Sequence, residues 1–270
     1  MEKLLEVTDL KVAFKINGKE YLALRGIDFS LSRGETLCIV GESGCGKSVT
    51  SLAIMDLLPV NGRVVGGNIK FKGEELTTLS KKKRREYRGS KIGMIFQEPM
   101  TALNPLLTIG FQLKEALKLH KGLKGKDATE KAVEYLEKVG IPEPRARLKQ
   151  FSYQLSGGLR QRVMIAMVLC AEPDIIIADE PTTALDVTIQ AQVLKLLEKL
   201  KEELQIGVIL ITHDMGVVAE VADRVCVLYA GNKCEEGTVE EIFTQSQHPY
   251  TKGLLASVPD IDSDTFENNP

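Results

Sequence analysis

The stretch TLCIVGESGCGKS, from Thr36 to Ser48, decides the fold of this 270-residue chain. Residues 36–40 are apolar enough to predict a buried β-strand, and residues 41–48 match the Gly-x-x-x-x-Gly-Lys-Ser phosphate loop that follows such a strand. Glycines let consecutive backbone N–H groups curl around an anion, and the helix after the loop directs its positive N-terminal end at the phosphates. The stretch therefore predicts a nucleoside triphosphate site in an α/β fold.

The loop also supplies side chains for the predicted site. Lys47 is expected to reach the β- and γ-phosphates, and the Ser48 hydroxyl is expected to ligate Mg²⁺. Cys45 is interpreted as a small filler, with a reactive thiol blocked by bound nucleotide as the alternative. A glycine-rich turn before a helix, without any ligand, is the competing interpretation of the loop, and the preceding strand disfavours it. The residues of this segment predicted to bind the nucleotide are Gly41, Glu42, Ser43, Gly44, Cys45, Gly46, Lys47, Ser48 and Val49.

Composition limits the class of protein. The formal net charge is −2, so the chain as a whole has no electrostatic attraction for nucleic acid, and a polybasic role is disfavoured. The five cysteines include no Cys-x-x-Cys pair, which indicates reduced thiols in a reducing cytoplasm and no metal cluster. The length favours one elaborated domain with subdomains over two independent domains.

The sequence predicts no segment that inserts into a membrane. The N-terminus is interrupted by acidic residues and does not resemble a signal peptide. The longest apolar stretch, residues 163–171, is about half the length that spans a bilayer. If the protein works at a membrane, other subunits must supply the membrane-spanning helices.

Turn residues and apolar periodicity divide the first hundred residues into short elements. Residues 5–31 are predicted to form an antiparallel flap with a turn at Asn17-Gly18, and a helix is predicted over residues 48–58. Pro59 and the glycine cluster at residues 62–67 are expected to interrupt the chain before a strand over residues 68–71. The basic run at residues 81–85 is interpreted as a solvated helix face, with contact to a lipid surface or partner as the alternative.

The second part of the chain changes from helical to alternating character. Residues 106–150 have helical periodicity and are interpreted as an inserted helical subdomain. A helix over residues 159–169 and a buried strand over residues 174–178 follow, then a helix around residues 189–200 and strands over residues 207–212 and 224–229. This alternation predicts a largely parallel sheet between helices.

Polar side chains follow the predicted strands at the edge where open α/β sheets bind ligands. Asp179 is expected to hold Mg²⁺, commonly through water, and Glu180 to orient or deprotonate the attacking water. His213 is placed to hydrogen-bond the γ-phosphate or that water, although a loop histidine capping the next helix is the alternative. Gln97 is placed to ligate Mg²⁺ with its amide oxygen and to sense the helical insert.

A second anion-binding device lies at residues 155–158, Leu-Ser-Gly-Gly, at the start of a predicted helix. Two phosphate-binding devices in one chain are redundant unless a second copy faces the first. We therefore expect each Ser-Gly-Gly to close on the γ-phosphate held by the other subunit.

Taken together, these motifs resemble the nucleotide-binding subunits of ABC transporters. Residues 41–48 resemble the Walker A motif of that family, Gln97 its Q-loop, residues 155–158 its signature and residues 175–180 its Walker B motif. Residues 184–186 resemble the D-loop and His213 the switch histidine. Leu159 departs from the glutamine usual after Ser-Gly-Gly in the wider superfamily.

The resemblance implies a P-loop, RecA-like ATPase core with an antiparallel β subdomain and an inserted α-helical subdomain. It implies an ATP-binding domain over residues 1–242, in which residues 1–97 and 158–242 form the core with the β subdomain and residues 98–157 the helical subdomain with the signature. Residues 243–270 would be a C-terminal extension. Phe14 would stack on adenine, with Tyr21 as the substitute and simple strand packing as the alternative role. In an ATP-sandwich dimer, Leu155, Ser156, Gly157, Gly158 and Asp186 would complete the site of the opposite subunit.

Finer features resemble the oligopeptide, dipeptide and nickel importer subfamily. These are the segments at residues 96–105, 179–190 and 248–255, the last of which begins His-Pro-Tyr. Many members continue into a cysteine-bearing tail proposed to hold an iron–sulfur cluster; no such cluster is expected in this sequence, which is either truncated or a short member. The acidic residues 259–270 are expected to be loosely packed.

The function implied is ATP hydrolysis that drives dipeptide or oligopeptide import from the cytoplasmic face of the membrane. The implied partners are an identical or paralogous ATPase subunit, two transmembrane permease subunits and, indirectly, an extracellular binding protein, without nucleic acid. A cytoplasmic helix of a permease subunit is expected in the groove between the sheet and residues 98–150. The alternatives are a nickel or metal-complex importer, a soluble ABC ATPase acting on DNA or ribosomes, and an ATP-dependent clamp without catalysis.

Overall fold

A computed structural model describes residues 2–183 and 185–257 of the chain. The β-strands in the described residues are β1 (Lys3–Ile16), β2 (Lys19–Ser32), β3 (Thr36–Val40), β4 (Gly62–Phe71), β5 (Glu74–Glu75), β6 (Ile92–Ile95), β7 (Ile175–Asp179), β8 (Gly207–Thr212), β9 (Arg224–Tyr229) and β10 (Asn232–Thr238). The α-helices are α1 (Lys47–Ile54), α2 (Lys81–Tyr87), α3 (Pro99–Ala102), α4 (Ile109–Lys121), α5 (Gly125–Lys138), α6 (Pro144–Arg147), α7 (Gly157–Leu169), α8 (Val187–Leu204), α9 (Met215–Val221), α10 (Val239–Gln245) and α11 (Pro249–Ala256).

The central sheet has the strand order β10-β9-β3-β8-β7-β6. The strands from β9 to β6 run parallel, and β10 pairs antiparallel with β9 at one edge. Strands β3, β6, β7 and β8 are buried along their whole length, as their continuous apolar runs predict for parallel strands covered on both faces. The predicted α/β class is confirmed, and the sheet brings the C-terminal ends of these strands to one edge.

The smaller sheet is antiparallel, with the order β2-β1-β4-β5. Its first hairpin turns at Asn17 and Gly18, and both have positive φ, as a tight two-residue turn between twisted strands requires. The predicted interruption at residues 62–67 is wrong, because these glycine-containing residues belong to β4 and pair with β1. The backbone of β1 bulges at Asp9 and leaves no space beside Gly67, where an added Cβ would lie 2.2 Å from the Asp9 carbonyl oxygen.

Apolar side chains pack in two layers, one on each face of the central sheet. Alternate residues of β7 illustrate the division, since Ile176 and Ala178 join the helices on one face while Ile175 and Ile177 join the smaller sheet and α1 on the other. The helices α3 to α6 lie between β6 and α7 in the chain, within the predicted insert. The predicted domain boundaries stay a prediction.

The basic run at residues 81–85 forms the first part of α2. Four of its side chains are exposed, in agreement with the predicted solvated face, but Arg84 is buried. Its guanidinium donates hydrogen bonds to the carbonyl oxygens of Ala53 and Ile54 at the end of α1, over 3.0 and 3.1 Å. Helix α1 ends at Ile54, four residues before the predicted end at residue 58.

Among the described residues, no helix combines the length and apolar character needed to cross a membrane. The expectation for residues 259–270 lies outside the described residues, as does the structure of Ala184 in the predicted D-loop.

Candidate functional site

The phosphate loop connects β3 to α1 in the arrangement that the sequence predicts. Gly41 follows β3 with φ of 145°, and an added Cβ would lie 2.2 Å from the carbonyl oxygen of Leu228 in β9, so only glycine fits there. Lys47 is buried at the start of α1, and its ammonium group donates to the carbonyl oxygens of Gly41 and Glu42 over 2.7 and 3.1 Å. The loop is thus closed on itself by the lysine predicted to bind phosphates.

Two of the predicted Mg²⁺ ligands lie together beside the loop. The Ser48 hydroxyl donates to Asp179 Oδ1 over 3.1 Å, and Asp179 ends β7 with 8 % of its surface exposed. Burial raises the pKa of Asp179, while the hydrogen bond from Ser48 and the charge of Lys47 act in the opposite direction. Hydroxyl and carboxylate oxygens are the ligand types that Mg²⁺ prefers, so this pair fits the ion chemically.

Glu180 lies at the centre of a second group of contacts. Its Oε2 atom accepts hydrogen bonds from Gln97 Nε2 over 3.0 Å and from the Thr183 hydroxyl over 2.9 Å, while Oε1 lies 3.3 Å from His213 Nδ1. Its backbone has φ of 45°, a left-handed conformation that costs a residue with a side chain about 1 kcal/mol and is held here by the hydrogen bond from its N–H to Ile211 O, 2.9 Å. The strained backbone turns the carboxylate towards these three neighbours.

Strand order explains why these residues meet. Gln97 follows β6, Asp179 and Glu180 lie at the end of β7, and His213 follows β8, and these three strands are neighbours in the sheet. The phosphate loop follows β3, the next strand along. Thr183 was missed by the sequence reasoning, although a hydroxyl three residues after a carboxylate in a Pro-Thr-Thr turn is a local signal for such a contact.

The predicted signature segment forms the start of α7. The Ser156 hydroxyl accepts the N–H of Leu159 over 3.4 Å and caps the helix, and Asp186 caps α8 in the same way through Ile189 N, 3.0 Å. An added Cβ on Gly158 would lie 2.7 Å from Ile189 Cγ2, so the two helix starts pack closely. Leu155 is buried in the core, where its side chain contributes packing. The roles of these residues in the opposite subunit stay predictions.

The two aromatic candidates for adenine stacking are directly opposite each other on β1 and β2. Phe14 is half-buried, and its ring covers Gly62, where an added Cβ would lie 2.7 Å from ring atom Cε1. Tyr21 is 53 % exposed. The stacking role stays a prediction for either residue.

A groove runs between the central sheet and the helical insert. Its volume is about 980 Å³, and its apolar lining includes Met94, Phe96, Leu103, Leu119 and Met167. Phe96 and Leu119 are 38 % and 77 % exposed, respectively. Phe96 directly precedes Gln97, which connects this groove to the Glu180 cluster.

The sheet order, the phosphate loop and the paired acidic residues at the end of β7 define a P-loop ATPase of the ATP-binding cassette class. The sequence profile of the family described as "ABC transporter" matches residues 24–183, and that described as "Oligopeptide/dipeptide transporter, C-terminal region" matches residues 234–268. The chain belongs to the ABC transporter family. The predicted family resemblance, fold class and ATPase activity are thereby confirmed.

Individual proteins with similar sequences and folds agree with this assignment. The chain is 57 % identical over 271 residues to the dipeptide transport ATP-binding protein DppD of Bacillus subtilis (strain 168), a match that covers 100 % of the chain and 81 % of DppD. It is 56 % identical to the oligopeptide transport ATP-binding protein OppD of the same strain, covering 97 % of the chain and 73 % of OppD. The fold is similar to the dimeric post-hydrolysis structure of the ATP-binding cassette MJ0796 bound to ADP and Pi, with a TM-score of 0.78, 29 % identity and coverage of 87 % of this chain and 99 % of that one.

Proposed function

We propose that this chain hydrolyses ATP to energise the uptake of dipeptides or oligopeptides through separate transmembrane subunits. The substrate class is supported by the similar dipeptide and oligopeptide transport proteins and by the match of residues 234–268. The observation that carries the catalytic part is the position of the Glu180 carboxylate, which is contacted by Gln97 and His213 from the ends of the two neighbouring strands and by Thr183 from the turn that follows Glu180 itself. A binding module without hydrolysis would have no need of a base at that position.

The two oxygens of Glu180 have different tasks in this proposal. Gln97 and Thr183 both donate to Oε2 and hold the carboxylate in place, so Oε1 is the atom left to accept a proton from the attacking water. His213 lies 3.3 Å from Oε1 and is placed to contact the same water or the γ-phosphate. The water then attacks the γ-phosphorus in line while Lys47, released from the carbonyl oxygens of the loop, neutralises charge on the phosphates.

Ser48, Asp179 and Gln97 are the residues that would hold Mg²⁺. When bound, the ion would neutralise charge that develops on the phosphate oxygens. The contact between Ser48 and Asp179 supports this assignment, and Gln97 serves both the ion and Glu180 in the proposal.

We also propose that two such chains, or this chain and a paralogue, enclose two ATP molecules. Ser156, Gly157 and Gly158 at the start of α7, with Leu155 before them and Asp186 at the start of α8, would complete the site of the opposite subunit. The similar MJ0796 cassette was solved as a dimer, which supports this arrangement. The groove between sheet and insert would receive a permease helix at the cytoplasmic face of the membrane, and a permease-bound extracellular protein would deliver the substrate.

The deciding experiment compares the wild-type chain with Glu180→Gln and with the control Glu220→Gln, which changes an exposed glutamate on α9. Phosphate release and ATP-dependent sedimentation are measured with Mg²⁺. We expect Glu180→Gln to lose turnover, to keep ATP binding and to accumulate as a dimer, while Glu220→Gln behaves as the wild type. Wild-type turnover by Glu180→Gln would refute its role as base, and a persistent ATP-bound monomer would favour a paralogous partner.

The substrate class needs a separate measurement. Uptake of a labelled dipeptide and of a nickel complex would be compared in cells with and without the Glu180→Gln substitution. Loss of dipeptide uptake alone is the expected result, and loss of nickel uptake alone would overturn the proposed substrate.

A further inference from the structure

The His-Pro-Tyr segment, residues 248–255, reaches the phosphate loop although about 200 residues separate them in the chain. The Tyr250 hydroxyl accepts a hydrogen bond from the backbone N–H of Glu42 over 2.9 Å, across a sequence separation of 208 residues. Glu42 is the second residue of the phosphate loop. The phosphate-loop motif itself does not require this contact.

The segment is anchored before it reaches the loop. Glu235 in β10 accepts the N–H groups of Gln247 and His248 over 2.6 and 3.2 Å. His248 Nδ1 accepts the N–H of Tyr250 over 3.1 Å and caps α11. The three residues His-Pro-Tyr therefore start the helix and set the direction of the Tyr250 side chain.

The ring of Tyr250 is held as well as its backbone. It packs on Tyr229 at the end of β9, with the two ring centroids 4.5 Å apart. Thr251, the next residue, is fully buried. A side chain with its backbone and ring both restrained can position a hydrogen-bond partner with little loss of conformational freedom.

Both backbone polar groups of Glu42, near the start of the phosphate loop, form hydrogen bonds. The Glu42 N–H is bound by Tyr250, while the Glu42 carbonyl oxygen accepts Lys47 Nζ over 3.1 Å. Farther along the loop, the Cys45 carbonyl oxygen accepts the N–H of Gly231 in the turn between β9 and β10, 2.9 Å. The C-terminal part of the chain thus contacts the backbone of the loop at two residues, Glu42 and Cys45.

We propose that Tyr250 is a positioning residue for the phosphate loop and that the His-Pro-Tyr segment preorganises this loop for nucleotide. The inference rests on the proposed function, in that ATP is the ligand of the loop. A loop whose first peptide is already fixed loses less conformational entropy when its amides close on phosphates, so the affinity for ATP is higher. Displacement of the segment lowers that affinity without any contact between the segment and the nucleotide.

The test is Tyr250→Phe, which removes the hydroxyl and keeps the ring. Tyr229→Phe is the matched control, because it removes a hydroxyl from the same ring pair that forms no hydrogen bond within residues 2–183 and 185–257. Amide hydrogen exchange of residues 41–48 is measured without nucleotide, and the dissociation constant of a fluorescent ATP analogue and the turnover at saturating ATP are measured separately. Loss of one neutral hydrogen bond shifts such an equilibrium about two- to tenfold.

In Tyr250→Phe, we expect the amide hydrogens of the loop to exchange faster than in the wild type. The variant should bind the ATP analogue about two- to tenfold more weakly, and its turnover at saturating ATP should be unchanged. Tyr229→Phe should match the wild type in all three measurements. Unchanged exchange in Tyr250→Phe would refute the anchoring contact, and faster exchange with unchanged affinity would refute the preorganisation. Since exchange and binding do not depend on hydrolysis, a wild-type chain without turnover would contradict the proposed function and leave this test intact.

Discussion

Arg84 offers a stability test inside the basic run of α2, because one of five consecutive cationic residues is buried and the others are exposed. We consider Arg84→Met, which keeps the aliphatic length and removes the guanidinium. The substitution deletes two charge-assisted hydrogen bonds, to Ala53 O and Ile54 O. It also removes a cation from the C-terminal end of α1.

The expected loss follows from these contacts. Hydrogen bonds from a charged donor contribute about 1.5–3 kcal/mol each, and a cation at a helix C-terminus about 0.3–1 kcal/mol. Ala53 O keeps a second donor, the N–H of Asp56 at 3.2 Å, which reduces the loss at that carbonyl. Burial also lowers the pKa of Arg84, which reflects the cost of keeping its charge out of water, so removing that charge offsets part of the destabilisation. The net destabilisation is therefore about 2 kcal/mol, or roughly 4–8 °C in Tm for a chain of this size.

Urea unfolding and thermal melting of the purified protein would measure this loss. Arg85→Met is the matched control, because Arg85 is exposed on the same helix and should change stability by less than about 0.5 kcal/mol. If the free energies of unfolding of Arg84→Met and Arg85→Met differ by less than about 0.5 kcal/mol, the two contacts from Arg84 to carbonyl oxygens do not stabilise the end of α1, and the reasoning is wrong.

Two further predictions concern the supports of the sheet and the loop. Burial raises the pKa of Asp174, but the hydrogen bonds from Lys72 and Arg33 and the charge of Lys72 together lower it by more than burial raises it, so the folded pKa lies below the ordinary value. Asp174→Asn should therefore destabilise the protein at pH 7. In urea titrations, the difference in free energy of unfolding between wild type and variant should shrink as the pH falls below about 4 and through the folded pKa of Asp174. A difference that does not change with pH would contradict this. Gly231→Ala should destabilise the protein and weaken ATP binding far more than Gly73→Ala. Both glycines have φ near 80°, so the backbone cost of alanine is similar at the two positions. An added Cβ at Gly231 would lie 2.3 Å from the Ala23 carbonyl oxygen, whereas an added Cβ at Gly73 meets nothing within 4 Å. Equal melting temperatures for the two variants would refute the steric argument.

Local sequence patterns were sufficient for the phosphate loop and for most strands. The strands at residues 207–212 and 224–229 agree with the predicted bounds, because a continuous apolar run between turn residues is itself the signal for a buried parallel strand. Strand β10 and helices α10 and α11 were not predicted, since they are short and their composition is mixed. The error at residues 62–67 arose because glycine normally weakens a strand, whereas here it admits a bulge of the neighbouring strand.

The sequence by itself determined which residues can do the chemistry: a loop that binds phosphate, carboxylates at the end of a strand and a histidine after the next one. Only the tertiary structure decided which of them meet, because the order of strands in the sheet places Gln97, Glu180 and His213 together although they are far apart in the chain. The burial of Arg84 and the contact of Tyr250 with Glu42 depend on packing between distant elements in the same way. Periodicity and turn chemistry report the neighbours along the chain, while such contacts depend on which faces of the folded elements are brought together.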